Sequence, residues 1–402
     1  MLDQSPQNRT DRCLPFLLAG GRGSRLHELT DRQCKPAINF GSGSGRIVDF
    51  ILEATVQAGF QQLFVATQYR PYDLCQHLRA QWGHHFPKGI SVRDGEQVSP
   101  RGYRGTAEAI RLNTTSLDAY APREIMVLSG DHVADIDLAA LLEHHRSHGA
   151  AATVAATAVP LADASSFGVF SADAEGRVTA FREKPADPDA IEGDPEHALA
   201  STGIYVFDWI WLREMLAAEA LRPETQHDFG HDILPRALAD GELSVCRITS
   251  ATPGAEAYWR DVGTLGSYRR TMLDIANSRA ALKLPRGMER PLIEAVDCFT
   301  EGSVFLPGSS AGQRCNLRNV IVAPGARLPN GFEAGHDATE DRRWFRCGED
   351  GTVLITPEML ARRKAHLAAH TGRPAVRPSM QMPPRGEIGG TKANHVGEVA
   401  KA

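Results

Sequence analysis

The residues best suited to chemistry lie near the start of the chain, in a stretch rich in glycine and arginine. An apolar run of strand length, residues 15–19, is followed by Gly-Gly-Arg-Gly-Ser-Arg at positions 20–25, and Lys35 lies shortly after. Glycines let backbone N–H groups approach an anion closely, and Arg25 and Lys35 add positive charge. The spacing matches neither the P-loop nor the dinucleotide-binding fingerprint. The stretch favours a nucleoside triphosphate site, with an ordinary tight turn as the alternative.

Two aspartates are candidates for binding a divalent metal ion. Asp131 follows the apolar run 124–129, and Asp261 ends the segment Tyr-Trp-Arg-Asp. Mg²⁺ prefers one or two carboxylates together with substrate phosphates. The alternatives are structural, because Asp131 would also suit a helix cap and Asp261 an ion pair with Arg260.

Two further segments are suited to binding phosphate. Lys184 lies between Glu183 and Pro185 at the end of a predicted strand. Residues 103–106, Tyr-Arg-Gly-Thr, precede a helical segment and would offer backbone N–H groups at its N-terminus. The alternative for Lys184 is an ordinary solvated surface lysine.

The rest of the first 280 residues predicts the elements that position these groups. Short apolar runs alternate with segments of helical spacing, which is typical of a mostly parallel sheet with helices on both faces. Ligands bind such sheets beyond the carboxyl ends of the strands, so the glycine loop and Asp131 are expected to face each other. The predicted strands cover residues 63–67, 124–129, 152–159, 178–185 and 201–207, and the predicted helices cover residues 47–56, 72–82, 137–149 and 265–277.

The composition limits the classes of protein to which this chain can belong. The 402 residues exceed one average domain, and a net charge of −5 argues against a nucleic-acid or membrane surface. Seven scattered cysteines without a C-x-x-C pair indicate reduced thiols, and the polar N-terminus does not resemble a signal peptide. No apolar run reaches the length of a membrane span. We therefore expect a cytoplasmic protein.

A period of six residues marks the second part of the chain. Val322, Leu328 and Ala334 form one series, and a second series runs through Val320 to Phe332 with Gly and Pro between the apolar positions. This period indicates coils of a β-helix, with a plain β-meander as the alternative. The predicted organisation is then a disordered N-terminus at 1–13, a catalytic domain at 14–278, a linker at 279–291, a short β-helix domain at 292–365 and a disordered tail at 366–402.

An ordered set of motifs resembles the bacterial glucose-1-phosphate adenylyltransferases, also called ADP-glucose pyrophosphorylases. Arg-Ile-Val-Asp-Phe at 46–50 and Tyr-Arg-Gly-Thr-Ala at 103–107 resemble the ADP-glucose branch more than the UDP- or dTDP-sugar branches. The motifs that carry the resemblance are residues 16–26, 35–37, 45–50, 103–109, 129–132, 166–169, 181–185, 200–207, 227–230, 258–264 and 341–346.

The resemblance implies a fold and a reaction. The expected fold class is α/β: a Rossmann-like nucleotidyltransferase domain with a mostly parallel sheet, followed by a short left-handed parallel β-helix. The expected reaction converts ATP and α-D-glucose 1-phosphate to ADP-glucose and pyrophosphate with Mg²⁺, in a homotetramer. A sibling nucleotidyltransferase for another base or sugar and a non-catalytic regulatory subunit remain as alternatives.

The resemblance also implies roles for particular residues. Arg25, Lys35 and Asp131 are expected to be catalytic, and Asp131 and Asp261 to bind the metal. The expected glucose 1-phosphate residues are Tyr103, Gly168, Glu183, Lys184 and Ser201. The expected nucleotide-binding residues are Ala19, Gly20, Gly21, Gly23, Ser24, Arg25, Lys35, Gly105 and Thr106.

Overall fold

The structure is a computed structural model that describes residues 10–173, 177–252, 254–255, 257–277 and 282–370. One compact unit extends as far as Leu360, and a second unit begins at Ala361.

The first part of the chain alternates strands with helices, as its apolar periodicity predicts. Its strands are β1 Cys13–Leu18, β2 Gln62–Thr67, β3 Gly89–Asp94, β4 Glu124–Ser129, β5 His132–Asp135, β6 Ala152–Pro160, β7 Gly168–Ala172, β8 Val178–Glu183, β9 His197–Asp208, β10 Leu243–Arg247 and β11 Tyr258–Asp261. Its α-helices are α1 Asp49–Gln57, α2 Tyr72–His77, α3 Gly95–Val98, α4 Thr106–Arg111, α5 Thr114–Asp118, α6 Leu138–His148, α7 Trp209–Glu219, α8 Leu234–Ala239 and α9 Leu265–Ala276. Shorter 3₁₀ turns include Ser24–Thr30 and Lys35–Ala37, and two π-helical turns cover Leu78–Trp82 and Phe229–Ile233.

The main sheet has the order β10-β6-β9-β4-β1-β2-β3, and β7 and β8 extend from β9. Within this order, neighbours are parallel except at β9, which runs antiparallel to both β4 and β6; the pairs β7–β8 and β7–β9 are also antiparallel. The prediction of a mostly parallel sheet is confirmed.

Side chains of the central strands alternate between two apolar layers. Leu17 of β1 and Leu128 of β4 pack into one core, whereas Phe16 and Val127 pack into the core on the other face. Burial on both faces explains why these strands read as continuous apolar runs.

Strand register brings three loops to the same edge of the sheet. Leu18, the last residue of β1, pairs with Ser129 at the end of β4 and with Ala66 near the end of β2. The segments that follow these strands therefore begin side by side, and they carry Gly20, Asp131 and Gln68. On the neighbouring ribbon, β11 pairs with β5 so that Asp261 lies opposite His132. The register thus gathers residues far apart in the sequence.

The second part of the chain forms stacked coils of short parallel strands, 17 residues apart in register. Phe299 pairs with Asn316, and Asn316 pairs with Glu333 on the next coil. All six positions of the two period-six series are buried, which confirms the β-helix. Its elements are β12 Phe299–Glu301, β13 Val304–Phe305, β14 Ser310–Ala311, β15 Asn316–Arg318, β16 Val320–Val322, β17 Arg327–Leu328, β18 Glu333–Ala334, α10 Ala338–Trp344, β19 Arg346–Cys347, β20 Val353–Ile355 and α11 Pro357–His370.

Two predicted disordered boundaries differ from the structure. Cys13 belongs to β1, where it is buried and paired with Glu124, so order begins before residue 14. The helix α11 extends to His370, so residues 366–370 are helical. The remainder of both predicted disordered ends, residues 1–9 and 371–402, lies outside the described residues, as do linker residues 279–281. Among the helices that the structure describes, none combines the length and the apolar character needed to cross a bilayer.

Candidate active site

A buried lysine joins two carboxylates at the carboxyl edge of the sheet. Lys35 Nζ lies 3.0 Å from Asp131 Oδ2 and 2.9 Å from Asp261 Oδ1. His132 Nε2 lies 3.4 Å from Asp131 Oδ1, and Arg25 Nη2 approaches Asp261 to 4.0 Å. The structure therefore brings together the two predicted metal-binding aspartates and both predicted catalytic cations.

Mutual attraction keeps this cluster charged. Burial would raise the pKa of Asp131, but Lys35, His132 and the hydrogen bond from Ser129 together outweigh it and lower the pKa of Asp131 below its ordinary value. Burial likewise opposes the charge on Lys35, yet Asp131 and Asp261 raise the pKa of Lys35. Asp131 and Lys35 are therefore both ionised at neutral pH.

Local backbone structure directs Lys35 into the cluster. The Lys35 N–H donates to Gly21 O, which fastens the 3₁₀ turn Lys35–Ala37 to the glycine loop. Gly23 has a φ of 67°, and a Cβ there would lie 2.8 Å from Lys35 Cβ. A side chain at position 23 would therefore be strained and would displace Lys35.

A cavity of 540 Å³ opens beside this cluster. It collects the predicted residues Gly20, Gly21, Tyr103, Gly105, Thr106, Asp131, Glu183 and Lys184, contributed by segments that follow different strands. The other residues in its wall are Leu18, Pro36, Ala66, Gln68, Arg104, Ala109, Ser129, Gly203, Tyr205, Gln226, Asp228, Phe229, Gly230 and His231. A pocket lined by exposed backbone N–H and C=O groups, cationic side chains and carboxylates suits a ligand that combines a polar ring with phosphates.

Gln68 holds the segment that begins at Tyr103. Its amide oxygen accepts a hydrogen bond from the Tyr103 N–H, and its amide nitrogen donates to Tyr103 O at 3.3 Å. Three glycines make room for it, since a Cβ on Gly20, Gly95 or Gly102 would lie within 3.2 Å of the Gln68 side chain. Gln68 therefore connects the glycine loop, through its contact with Gly20, to the segment of the cavity wall that begins at Tyr103.

The start of α4 is equally constrained. A Cβ on Gly105 would lie 2.1 Å from His227 O, so only glycine fits there. Thr106 Oγ1 donates to Asp228 Oδ2 at 2.9 Å, and Asp228 Oδ1 accepts from the Gly230 N–H at 2.9 Å. Residues 227–230 thereby hold the start of α4 in place in the cavity wall.

Glu183 and Lys184 form another part of the wall. Lys184 has a φ of 46°, a conformation that lysine rarely adopts, and its Nζ lies 3.2 Å from Glu183 Oε1. Strained backbone of this kind clusters at functional sites. Gly168 lies opposite, where a Cβ would come within 2.8 Å of Glu183 Oε2.

Several predicted site residues do not line the cavity. Ala19 is buried within the sheet, and Ser24 is exposed at the start of a 3₁₀ turn. Gly23 contacts Lys35, whereas Ser201 accepts a hydrogen bond from the Gly203 N–H behind the cavity wall. Of these four residues, Gly23 and Ser201 support neighbouring groups of the site.

Gln68 and Asp228 were not assigned a role from the sequence. Gln68 directly follows a predicted strand, so its place at the ligand edge could have been inferred from the parallel topology. Asp228 belongs to the His-Asp-Phe-Gly motif, which marked the resemblance without showing which side chain faces the site.

The donor set fits a hard divalent cation that shares its ligands with a substrate. Among the described residues, no three His, Cys, Asp or Glu side chains form a preformed metal cluster. Asp131 and Asp261 instead offer carboxylate oxygens beside an open cavity, and both contact the same ammonium group. Two carboxylates completed by phosphate oxygens are the arrangement that Mg²⁺ typically adopts.

Comparisons with known proteins agree with this arrangement. Residues 14–278 match the nucleotidyl transferase family, and residues 294–355 match the GlmU-like C-terminal hexapeptide family. The chain is 35% identical to a glucose-1-phosphate adenylyltransferase of Cereibacter sphaeroides, over 90% of this chain and 99% of the relative. It is 36% identical to the same-named proteins of Jannaschia sp. (88% and 98% covered) and Mesorhizobium japonicum (87% and 96% covered).

The matches cover both parts of the chain in the order that the fold has them. The nucleotidyl transferase match contains the whole cavity, and the hexapeptide match contains the stacked coils and is consistent with a left-handed β-helix. Proteins of this family generally use a divalent metal ion. The chain belongs to the nucleotidyl transferase family and, within it, to the glucose-1-phosphate adenylyltransferases.

Proposed function

We propose that this protein makes ADP-glucose and pyrophosphate from ATP and α-D-glucose 1-phosphate, the committed step of glycogen and related α-glucan synthesis. The names of its relatives support the two substrates. The observation that carries the proposal is the cluster of Lys35, Asp131 and Asp261, of which Asp131 lines the 540 Å³ cavity and contacts the ammonium group of Lys35.

The reaction requires the protein to neutralise phosphate charge rather than to transfer a proton. A phosphate oxygen of glucose 1-phosphate is already an anion, so it attacks the α-phosphorus of ATP without a protein base. A new P–O bond forms as the bond between the α-phosphorus and the bridging oxygen breaks, and pyrophosphate leaves. The protein must hold two anions in line and neutralise the leaving group.

The proposed roles follow from the position of each cation. Lys35 and Arg25 contact the metal-binding carboxylates, so they suit the triphosphate and the departing pyrophosphate. Lys184 lies in the wall beside Glu183, which suits the sugar phosphate, and Tyr103 lines the same cavity. Gly168 and Ser201, which the resemblance also assigns to this substrate, contact the wall residues Glu183 and Gly203. Gly20, Gly21, Gly105 and Thr106 offer backbone or hydroxyl groups to the nucleotide.

The metal is proposed to be Mg²⁺, held by Asp131 and Asp261. When bound, it would neutralise phosphate charge that the protein cations alone leave uncompensated. The homotetramer and the cytoplasmic location stay predictions.

The direct test measures pyrophosphate release from ATP and glucose 1-phosphate with Mg²⁺. A panel of nucleoside triphosphates and sugar 1-phosphates distinguishes this reaction from that of a sibling enzyme. Turnover fastest with ATP and glucose 1-phosphate is the expected result. Faster turnover with another base or sugar would favour the sibling enzyme, and a protein that stays inactive with every pair would favour a regulatory subunit.

A further inference from the structure

Two free cysteines occupy the same position on adjacent coils of the β-helix. Because Phe299 pairs with Asn316, the preceding residues Cys298 and Cys315 lie side by side. Backbone hydrogen bonds fix the register on both sides: Arg314 N–H donates to Asp297 O at 3.0 Å, and Phe299 N–H donates to Cys315 O at 2.9 Å. Neighbouring strands lie about 4.8 Å apart, which falls within the Cα separation of roughly 4.4–6.8 Å that disulfides require.

Both side chains point to one atom. Cys298 Sγ lies 3.0 Å from Gly312 O, and Cys315 Sγ lies 3.2 Å from the same oxygen. Their sulfur atoms can therefore meet by side-chain rotation, without a change in the backbone register.

The two thiols differ in their access to solvent. Cys315 is only 2% exposed, and burial raises the pKa of its thiol, whereas Cys298 is partly exposed. A surface groove of 830 Å³ runs beside the pair and is lined by Asp297 and Gly312, among others. A small oxidant therefore reaches Cys298 first, with Cys315 held directly behind it.

We propose that Cys298 and Cys315 form a disulfide bond when the protein meets a peroxide, and that this bond fastens the first coil of the β-helix to the second. The Cys298 thiolate attacks one peroxide oxygen, the O–O bond breaks, and a sulfenic acid forms as hydroxide leaves and takes up the thiol proton. The Cys315 sulfur then attacks the sulfenic sulfur, the S–O bond breaks, and a second water leaves with the remaining proton. One hydrogen peroxide is reduced to two waters as two thiols become one disulfide.

The bond should stabilise the fold and leave catalysis unchanged. It closes a loop from residue 298 to residue 315, which restricts the unfolded chain. A loop of this length in a protein of this size raises Tm by about 4 °C. Neither cysteine lines the cavity that contains Asp131 and Lys184, so turnover at moderate temperature should be the same in both redox states.

The experiment treats the full-length protein with about one equivalent of hydrogen peroxide and maps its peptides by mass. Trypsin cuts after Arg286, Arg314 and Arg318, so the cysteines fall in peptides 287–314 and 315–318. The expected result is a cross-linked pair of these peptides, two hydrogens lighter than their sum, and a fall from seven to five titratable thiols in the denatured chain. Dithiothreitol should reverse both changes and the rise in Tm.

Two variants provide the controls. Cys298→Ser alters a partly exposed side chain and should keep its six thiols and its Tm after peroxide treatment. Cys347→Ser removes another partly exposed thiol of the β-helix and should still lose two thiols and gain stability. Sulfinic acid at Cys298 without the cross-link, a cross-link between other cysteines, or an unchanged Tm in cross-linked protein would overturn the proposal.

Discussion

The ammonium nitrogen of Lys35 lies 3.0 Å from the carboxylate of Asp131, although 95 residues separate them in the sequence. Lys35 is only 4% exposed, so its charge is held away from solvent, whereas the Asp131 carboxylate is partly exposed to the cavity. Attraction between the two charges is strong under these conditions, and each stabilises the ionised form of the other. A substrate phosphate entering the cavity meets both charges at once.

The first prediction concerns Asp131. Asp131→Asn keeps the size of the side chain and removes the charge that a divalent metal and Lys35 both require. Turnover should fall on the order of 10²–10³-fold, and the protein should stay folded because Lys35 keeps its ion pair with Asp261. Asp137→Asn serves as the control, because Asp137 caps α6 and Asn caps equally well. Pyrophosphate release within a few-fold of the parent protein would rule out Asp131 as a metal ligand.

The second prediction separates the two substrates. Lys184 contributes to the wall beside Glu183, away from the Lys35 cluster, so Lys184→Ala should raise KM for glucose 1-phosphate at least tenfold more than KM for ATP. Arg182→Ala is the matched control, because Arg182 pairs with Asp189 and does not line the cavity. Equal increases in both KM values would show that Lys184 orders the whole site.

The third prediction concerns Gln68. Gln68→Ala removes both hydrogen bonds to the Tyr103 backbone and leaves space between three glycines. The wall beside the glycine loop should loosen, and KM for ATP should rise about tenfold, since one lost hydrogen bond is worth about 1 kcal/mol and the packing adds to it. The control is Gln57→Ala, whose side chain contacts Glu53 on α1. A larger effect on glucose 1-phosphate than on ATP would contradict this assignment.

The order of strands and helices follows from apolar periodicity because the central strands are buried on both faces. The run 124–129 became β4 with the same bounds, and the helix expected from Asp137 begins with Asp137 as its cap and ends at Gly149, where φ is 80°. The period of six found the β-helix interior because each coil repeats the same inward positions. The antiparallel β9 was not predicted, since pairing direction depends on long-range topology that periodicity does not encode.

The residues of the site also divide into those that the sequence predicts and those that it does not. The glycine loop and Asp131 were predictable because their segments follow strands at the ligand edge. The position of Gln68 at that edge was predictable for the same reason, but its role was not, because that role depends on Gly95 and Gly102, which contact Gln68 only in the folded chain. The pairing of Cys298 with Cys315 depends on a 17-residue coil, and a scan for C-x-x-C spacing does not detect a repeat of that length.

The last prediction concerns pH. Glu108 on α4 is almost fully buried and accepts hydrogen bonds from Arg104 and Arg111, with Arg104 lying in the cavity wall. Burial would raise the pKa of Glu108, but the hydrogen bonds from Arg104 and Arg111 together outweigh it and lower the pKa from 4.5 to about 2. A depressed carboxyl pKa stabilises the folded state above pH 4.5, and this stabilisation disappears as the pH falls toward 2.

Glu108→Gln should therefore lower the free energy of unfolding by about 1–2 kcal/mol at pH 7, a figure that allows for solvent screening of the half-exposed Arg104. Denaturant unfolding of both proteins at pH 7 and pH 3 measures the difference, which should shrink at the lower pH because protonation begins to remove the same charge from the parent protein. Glu143→Gln, at an exposed position of α6, should change neither value. A difference that stays constant between pH 7 and pH 3 would show that Glu108 stabilises the fold through its shape, because the contribution of its charge must vanish as it is protonated.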